Sequence, residues 1–208
     1  MSEKYDADYF INGRKTGKSL YDNYRWLPDL TIPMVCTMIS RLGIKSDDTI
    51  LDFGCARGYT VRAMREMGYD AFGYDVSQWA IDNCDPWVKR WVFCRESLYP
   101  SAGYDWIIAK DVLEHVPNVK EVINGIMDAA SVGVFVVVPL SNTDGGEYVV
   151  KCYEKDETHI HRWTLATWLE LFLRPGWVVE ATYRAKGIKD NYAKYENGNG
   201  FITCRREI

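Results

Sequence analysis

The run Val132-Gly133-Val134-Phe135-Val136-Val137-Val138 constrains the fold more than any other part of this chain. Successive side chains of a strand point to opposite faces. Here both sets are apolar and mostly β-branched, so neither face can meet water. A strand buried on both faces belongs inside a sheet with a layer packed on each side.

The rest of the chain alternates in the way such a sheet needs. Thr49 to Phe53, Ala71 to Tyr74, Trp91 to Cys94 and Tyr104 to Ala109 read as four earlier strands. Helical spacing separates them. Tyr59 to Met67 is stopped by Gly68, and Ser77 caps Gln78 to Cys84. Asn118 and Glu121 have the spacing of a capping box before a helix to about Ala130. Pro33 suits the first turn of an earlier helix, with Gly43 at its exit. Thr164 to Leu173 is a late helix ended by Pro175-Gly176. Trp177 to Tyr183 and Phe201 to Cys204 form an antiparallel pair. The expected fold is α/β: a doubly wound, Rossmann-like, mostly parallel sheet of seven strands. An antiparallel C-terminal strand and an N-terminal helical cap complete it. We expect a single domain over 1–208, with 1–46 as cap or lid and 47–208 as core. Right-handed crossovers then gather the strand C-termini, and any ligand, on one edge.

Composition narrows the class. With 47% hydrophobic residues in 208, the chain can bury a core. No apolar run approaches the ~20 residues of a membrane span. Met1-Ser2-Glu3-Lys4-Tyr5-Asp6 has no apolar core of a secretory signal, so the cytoplasm is the expected compartment. A net charge of −4 argues against nucleic acid as the main partner. The six cysteines form no CxxC pair, which leaves a zinc cluster without support.

The turn after the first strand reads Asp52-Phe53-Gly54-Cys55-Ala56-Arg57-Gly58. Its glycines allow a ligand close to the backbone. Asp75 ends the second strand, 23 residues after Asp52, where a carboxylate can accept both hydroxyls of a ribose. The dinucleotide pattern GxGxxG fails, because Ala56 and Tyr59 stand at its second and third glycines. Asp52 beside the turn disfavours a pyrophosphate and tolerates a cation. S-adenosylmethionine (SAM), with its sulfonium and ammonium groups, suits it better than NAD.

These residues resemble class I SAM-dependent methyltransferases of the small-molecule and glycan type. Ile50 to Tyr59 is similar to their first motif, and Asp75-Val76-Ser77 to their acidic second motif. Tyr104 to Ile108 with Asp111-Val112-Leu113-Glu114-His115-Val116 resembles their fourth-strand motif. Thr158 to Thr164, with its two histidines, resembles the segment before their late helix. One departure is Ala56, where the family often has glycine. The resemblance implies that Gly54, Cys55, Ala56 and Gly58 approach the methionine portion, and that Asp52 orients that loop or the ammonium group. It implies Asp75 on the ribose and Val76 on the adenine. Glu96 would lie near the adenine amino group, Ser97 and Leu98 along that pocket, and Lys110 beside the methionine amine through its backbone. The product is S-adenosylhomocysteine (SAH). It also implies a lid from the N-terminal aromatics, with Tyr9, Tyr24 and Trp26 as its test residues.

Methyl transfer from a sulfonium is an in-line displacement in which positioning supplies much of the rate. A hydroxyl acceptor needs a base, and histidine is the natural one near neutral pH. The three histidines are His115, His159 and His161. His115 also suits a structural hydrogen bond at a helix start. His159 and His161 share a face if extended, and His159 is the preferred base. With Asp156 or Glu157 they make only half of a metal site, so none is expected. Thr16-Gly17-Lys18-Ser19 is no phosphate loop, because Asn12 replaces the first glycine. Lys110-Asp111-Val112 is not the NPPY-type motif of DNA-amine methyltransferases. The loop 140–163, with Asp144-Gly145-Gly146, is expected on the acceptor side. The reading is methyl transfer from SAM to a small-molecule or glycan acceptor, with oxygen preferred. The alternatives are a non-catalytic SAM-binding protein, an NAD-dependent oxidoreductase and an RNA methyltransferase.

Overall fold

The computed structural model describes residues 2–95 and 103–207. Glu96, Ser97 and Leu98 lie outside the described residues. The strands are β1 (Thr49–Phe53), β2 (Asp70–Asp75), β3 (Val92–Cys94), β4 (Tyr104–Lys110), β5 (Ala130–Pro139), β6 (Trp177–Thr182) and β7 (Asn199–Arg206). They form one sheet of seven in the order β3-β2-β1-β4-β5-β7-β6. β7 runs antiparallel to β5 and β6, and the pairs from β3 through β5 are parallel. The strand order reverses between β1 and β4, which opens the crevice where such sheets bind ligands.

The run in β5 is buried on both faces from Gly133 to Val138, while Val132, at the start of the strand, is exposed, against expectation. Val134, Val136 and Val138 face one core with Val122 and Ile123 of α6 (Val119–Ala129) and Trp168 of α7 (Leu165–Glu170). Phe135 and Val137 face the other. There they join Val35 and Met38 of α3 (Pro28–Leu42) and Val61 of α4 (Tyr59–Glu66). Gly133 makes room for the Trp106 ring of β4, since a Cβ there would sit 2.5 Å from it.

Three local expectations are corrected. α3 begins at Pro28, and Pro33 lies inside it. The proline frees the carbonyl of Asp29, an exposed residue that water can serve. Asn118 makes no capping bond, because its backbone (φ −97°, ψ 47°) leaves the extended region that a capping residue needs. Its amide instead donates to Glu121 at 3.1 Å. Trp91 belongs to a 3-10 turn, Lys89–Trp91, so β3 starts one residue later.

The N-terminal segment folds as α1 (Ala7–Ile11) and α2 (Gly13–Thr16), docked beside α5 (Gln78–Asp82). Phe10 stacks on Trp79 at 5.6 Å, and the Ser77 hydroxyl donates to the Tyr5 carbonyl at 2.5 Å. Among the described residues no helix is long and apolar enough to cross a membrane.

Candidate active site

A cleft opens at the C-terminal ends of β1, β2 and β4. Gly54 and Ala56 form one wall, Asp75 and Val76 a second, and Asp111, Val112 and His115 a third. Tyr5, Tyr9 and Tyr21 close it from the N-terminal segment.

Each wall has a local cause. Gly54 has φ +82°, and a Cβ there would lie 2.3 Å from Val112 Cγ2, so only glycine lets the β4 loop close down. The N–H groups of Gly54 and Cys55 donate to the Tyr74 carbonyl at 2.7 and 3.0 Å, tying the turn to β2. Ala56 also adopts a left-handed backbone (φ 48°), a strain of about 1 kcal/mol for a residue with a Cβ. Its N–H donates to Asp75 Oδ2 at 2.7 Å, while Asp75 Oδ1 accepts from Ser77 N at 2.8 Å. Asp75 therefore holds the turn and faces the cleft at once. Burial raises its pKa, and these backbone donors oppose the shift.

Other sequence candidates sit behind the walls. Asp52 is 6% exposed and outside the lining. Burial pushes its pKa up to about 7, Lys110 opposes this, and Asp75 adds to it. The Cys55 thiol points at the sheet, since a Cβ on Gly73 would sit 2.6 Å from its Sγ. Gly58 starts α4 at φ +77°, and its missing Cβ makes room for Val88 and Val92 rather than for a ligand. Tyr24 lies behind Tyr21, their ring centres 4.8 Å apart. The Trp26 ring packs on Tyr59 and under Arg62. Neither Tyr24 nor Trp26 lines the cleft. Lys110 turns its ammonium to Asp111 Oδ2 at 2.6 Å.

The three histidines separate. His115 is in the cleft wall. Its Nδ1 is 2.8 Å from the Thr158 hydroxyl, which in turn bonds Asp156 Oδ1 at 2.5 Å. Burial, and then His159, lower its pKa to about 4. His159, the preferred base, is outside the lining and 8% exposed at its side chain. Its Nε2 is 3.9 Å from Asp156 Oδ2 and 4.0 Å from Glu114 Oε1. His161 turns inward like His159, with Ile160 exposed between them. It bonds the Val116 carbonyl at 2.7 Å and stacks on Trp163. A carbonyl only accepts, so His161 carries its proton on Nε2.

Glu114, His115 and His159 bring one ligating atom each within 4.8 Å of one another. Among the described residues this is the group able to hold a metal ion. Glu114 is 1% exposed, and burial, then Asp111, raise its pKa well above the carboxylate range.

Several site residues were missed in the sequence. Asp111 has a left-handed backbone (φ 57°), a visible oddity only in three dimensions. Tyr5 and Tyr21 were indistinguishable from the other N-terminal rings. The loop 140–163 contributes Asp156 and Thr158 behind His115. Its Asp144-Gly145-Gly146 tip instead caps α7: Asp144 accepts from Thr164 N at 2.8 Å and the Thr167 hydroxyl at 2.6 Å.

A family model described as a methyltransferase domain matches residues 33–182. No curated protein sequence matches. Solved structures are similar at low identity. The plantazolicin methyltransferase BpumL, in complex with a triazolic desmethylPZN analog and SAH, is 13% identical with a TM-score of 0.68, covering 100% of this chain and 95% of that one. Magnesium protoporphyrin IX methyltransferase from Synechocystis PCC 6803, with SAM bound, is 12% identical with a TM-score of 0.60, covering 85% and 79%. The [4+2]-cyclase SpnF is 16% identical with a TM-score of 0.68, covering 100% and 95%. At such identities the likeness concerns the fold, and the cyclase illustrates that a fold does not name a reaction. The family match spans well over half of the chain and includes β1, β2, β4 and the walls they form. The chain belongs to the methyltransferase domain family and is a class I SAM-dependent methyltransferase.

Proposed function

We propose that this enzyme methylates a hydroxyl of a small molecule or glycan, and that His115 takes the hydroxyl's proton. The observation that carries the reading is the position of His115. It alone of the three histidines lines the cleft, and its Nδ1 is already engaged by Thr158. His159 and His161 face buried partners instead, so the preference for His159 passes to His115.

The residues present fit SAM. Asp75 faces the cleft with Val76 beside it, and the positive-φ turn at Gly54 and Ala56 brings main chain to the wall. Asp75 serves as acceptor for ribose hydroxyls, Val76 as an apolar surface for adenine, and Gly54 with Ala56 as the approach to the methionine portion. Bound SAM supplies a methyl group on an activated sulfonium. The protein contributes an enclosed cleft, orientation and a base already in its unprotonated form near neutral pH.

The test is calorimetric titration with SAM, SAH and NAD, alongside Asp75→Ala. Micromolar binding of the first two, none for NAD and loss in the variant support the cofactor site. An acceptor screen follows, with His115→Gln as the second variant. Turnover of hydroxyl acceptors that survives His115→Gln at the wild-type rate overturns the assignment of the base. Binding without turnover over the whole panel favours a non-catalytic SAM-binding protein.

A further inference from the structure

We propose that Thr158 and Asp156 are positioning residues that hold His115 as its Nδ1–H tautomer, leaving the Nε2 lone pair free. The use of that lone pair as a base rests on the function proposed above. The tautomer itself does not.

Asp156 is 5% exposed, and its carboxylate receives three donors. The Thr158 N–H and hydroxyl reach Oδ1 at 3.0 and 2.5 Å, and the Tyr9 hydroxyl reaches Oδ2 at 3.0 Å. A carboxylate so served acts only as an acceptor. The Thr158 hydroxyl has one hydrogen, and it is spent on Asp156. Toward His115 Nδ1, 2.8 Å away, Thr158 can therefore only accept. Nδ1 must carry the proton. A neutral imidazole has just one, so Nε2 is bare.

The Tyr5 and Tyr9 hydroxyls also approach the Thr158 hydroxyl, whose second lone pair can accept from one of them. Glu114 Oε1 lies 3.9 Å from His115 Nε2, beyond hydrogen-bond distance, and the Thr158 carbonyl also faces the ring. The ring also contacts Tyr5 and His159. Thr158 is 9% exposed, which keeps water from substituting for its hydroxyl. The chain Asp156–Thr158–His115 thus does with a hydroxyl relay what a directly bonded carboxylate does in other catalytic histidines: it sets which nitrogen faces the reaction. Tyr9 extends the relay to the N-terminal segment, 147 positions from Asp156.

Long-range proton–nitrogen correlation spectra of the imidazole-labelled full chain test this without an acceptor or a cofactor. There are three histidines, and His159→Gln and His161→Gln assign them. We expect His115 with Nδ1 protonated and Nε2 unprotonated at pH 7.5. Thr158→Val removes the acceptor and makes the Nδ1–H form minor, while Thr158→Ser restores it. Asp156→Asn keeps an oxygen for the two Thr158 donors and leaves the ring as Nδ1–H, whereas Asp156→Ala frees the Thr158 hydroxyl to donate to His115 and shifts the ring to Nε2–H. The His161 signal, held as Nε2–H by the Val116 carbonyl, reports an intact fold in each variant. A wild-type His115 found as Nε2–H overturns the proposal, as does an unchanged tautomer in folded Thr158→Val. If a variant fails to fold, the wild-type spectrum decides alone. Failure to bind SAM removes the functional reading and leaves this result in place.

Discussion

Lys189 reaches back 78 positions to place its ammonium 2.6 Å from Asp111 Oδ1, opposite the Lys110 ammonium on Oδ2. Asp111 is thus gripped from both sides at the end of β4, where its left-handed backbone turns the chain toward His115. Burial alone raises a carboxyl pKa, but the two lysines pull that of Asp111 well below the ordinary range. Burial lowers an ammonium pKa, yet Asp111 and then Tyr153 hold that of Lys189 above its usual value.

Removing Lys189 tests what this grip is worth. The side chains are 20% and 25% exposed, and Lys110 remains, so Lys189→Met destabilises by about 1–3 kcal/mol at pH 7 rather than the larger cost of a fully buried orphan. A carboxyl with a depressed folded pKa contributes stability above its unfolded value, and that stability is lost as pH falls through the folded pKa. The wild type and Lys189→Met therefore converge below about pH 4 in urea titrations. An unchanged gap at pH 3 contradicts the ion-pair account.

Two of the groups that shape the pH dependence below neutrality oppose each other. Asp52 has its pKa raised to about 7, with Lys110 from β4, Asp75 from β2 and the Thr60 hydroxyl from α4 facing it. A raised acid is more protonated folded than unfolded between pH 4 and 7, so its contribution falls as pH rises, by roughly 4 kcal/mol over that window. His115, with a pKa lowered to about 4, works the other way. Facing it are Glu114 on its own turn, Asp111 at the end of β4, Tyr5, and His159 and Asp156 from the loop behind. It contributes stability that grows from pH 4 to 6.5, by roughly 3 kcal/mol. Asp52→Asn removes one of them, so its stability climbs relative to the wild type between pH 4.5 and 6.5, and at pH 8 it exceeds the wild type. A variant profile parallel to the wild type's refutes the shift at Asp52.

Gly54 separates turn geometry from steric contact. Gly54→Ala puts a methyl 2.3 Å from Val112 Cγ2 on a backbone of φ +82°. Loss of stability by about 2–3 kcal/mol follows, with SAM affinity down at least tenfold. Val112→Ala added to it returns the steric part, roughly half, and leaves the backbone strain. Strict additivity of the two single changes in a double-mutant cycle argues against their contact.

The sheet was legible because its signals are local. A period of two read on both faces of β5, and turns at Gly54 and Asp75, need only neighbours in sequence. The walls built from Gly54, Ala56, Asp75 and Val76 follow from strand order, since each ends a strand at the same edge. The histidines show the limit. Spacing says that His159 and His161 share a side of their segment, and both do turn inward. It does not say what meets them there. Their partners, Glu114 and Val116, come from the β4 side, and Thr158 finds His115 across 43 positions. The Asp111–Lys189 pair likewise exists only once β4 and the segment before β7 are side by side. The capping box at Asn118 failed for a different reason: its residue types are right, but its backbone angles are not.

Glu114, His115 and His159 pose the last question, proton or metal. Ligand atoms at about 2.0–2.2 Å from one tetrahedral ion stand roughly 3.3–3.6 Å apart. Glu114 Oε1 is 3.9 Å from His115 Nε2 and 4.0 Å from His159 Nε2, so the side chains would have to close by a few tenths of an ångström to share such an ion. Burial, and then Asp111, raise the pKa of Glu114, which weakens it as an anionic ligand. The expected outcome is therefore that prolonged dialysis against a chelator changes neither the melting temperature nor SAM-dependent turnover. Added zinc or manganese is expected to leave both unchanged. A stoichiometric rise in melting temperature with either metal, abolished by His159→Gln, reverses the conclusion and makes the three residues ligands.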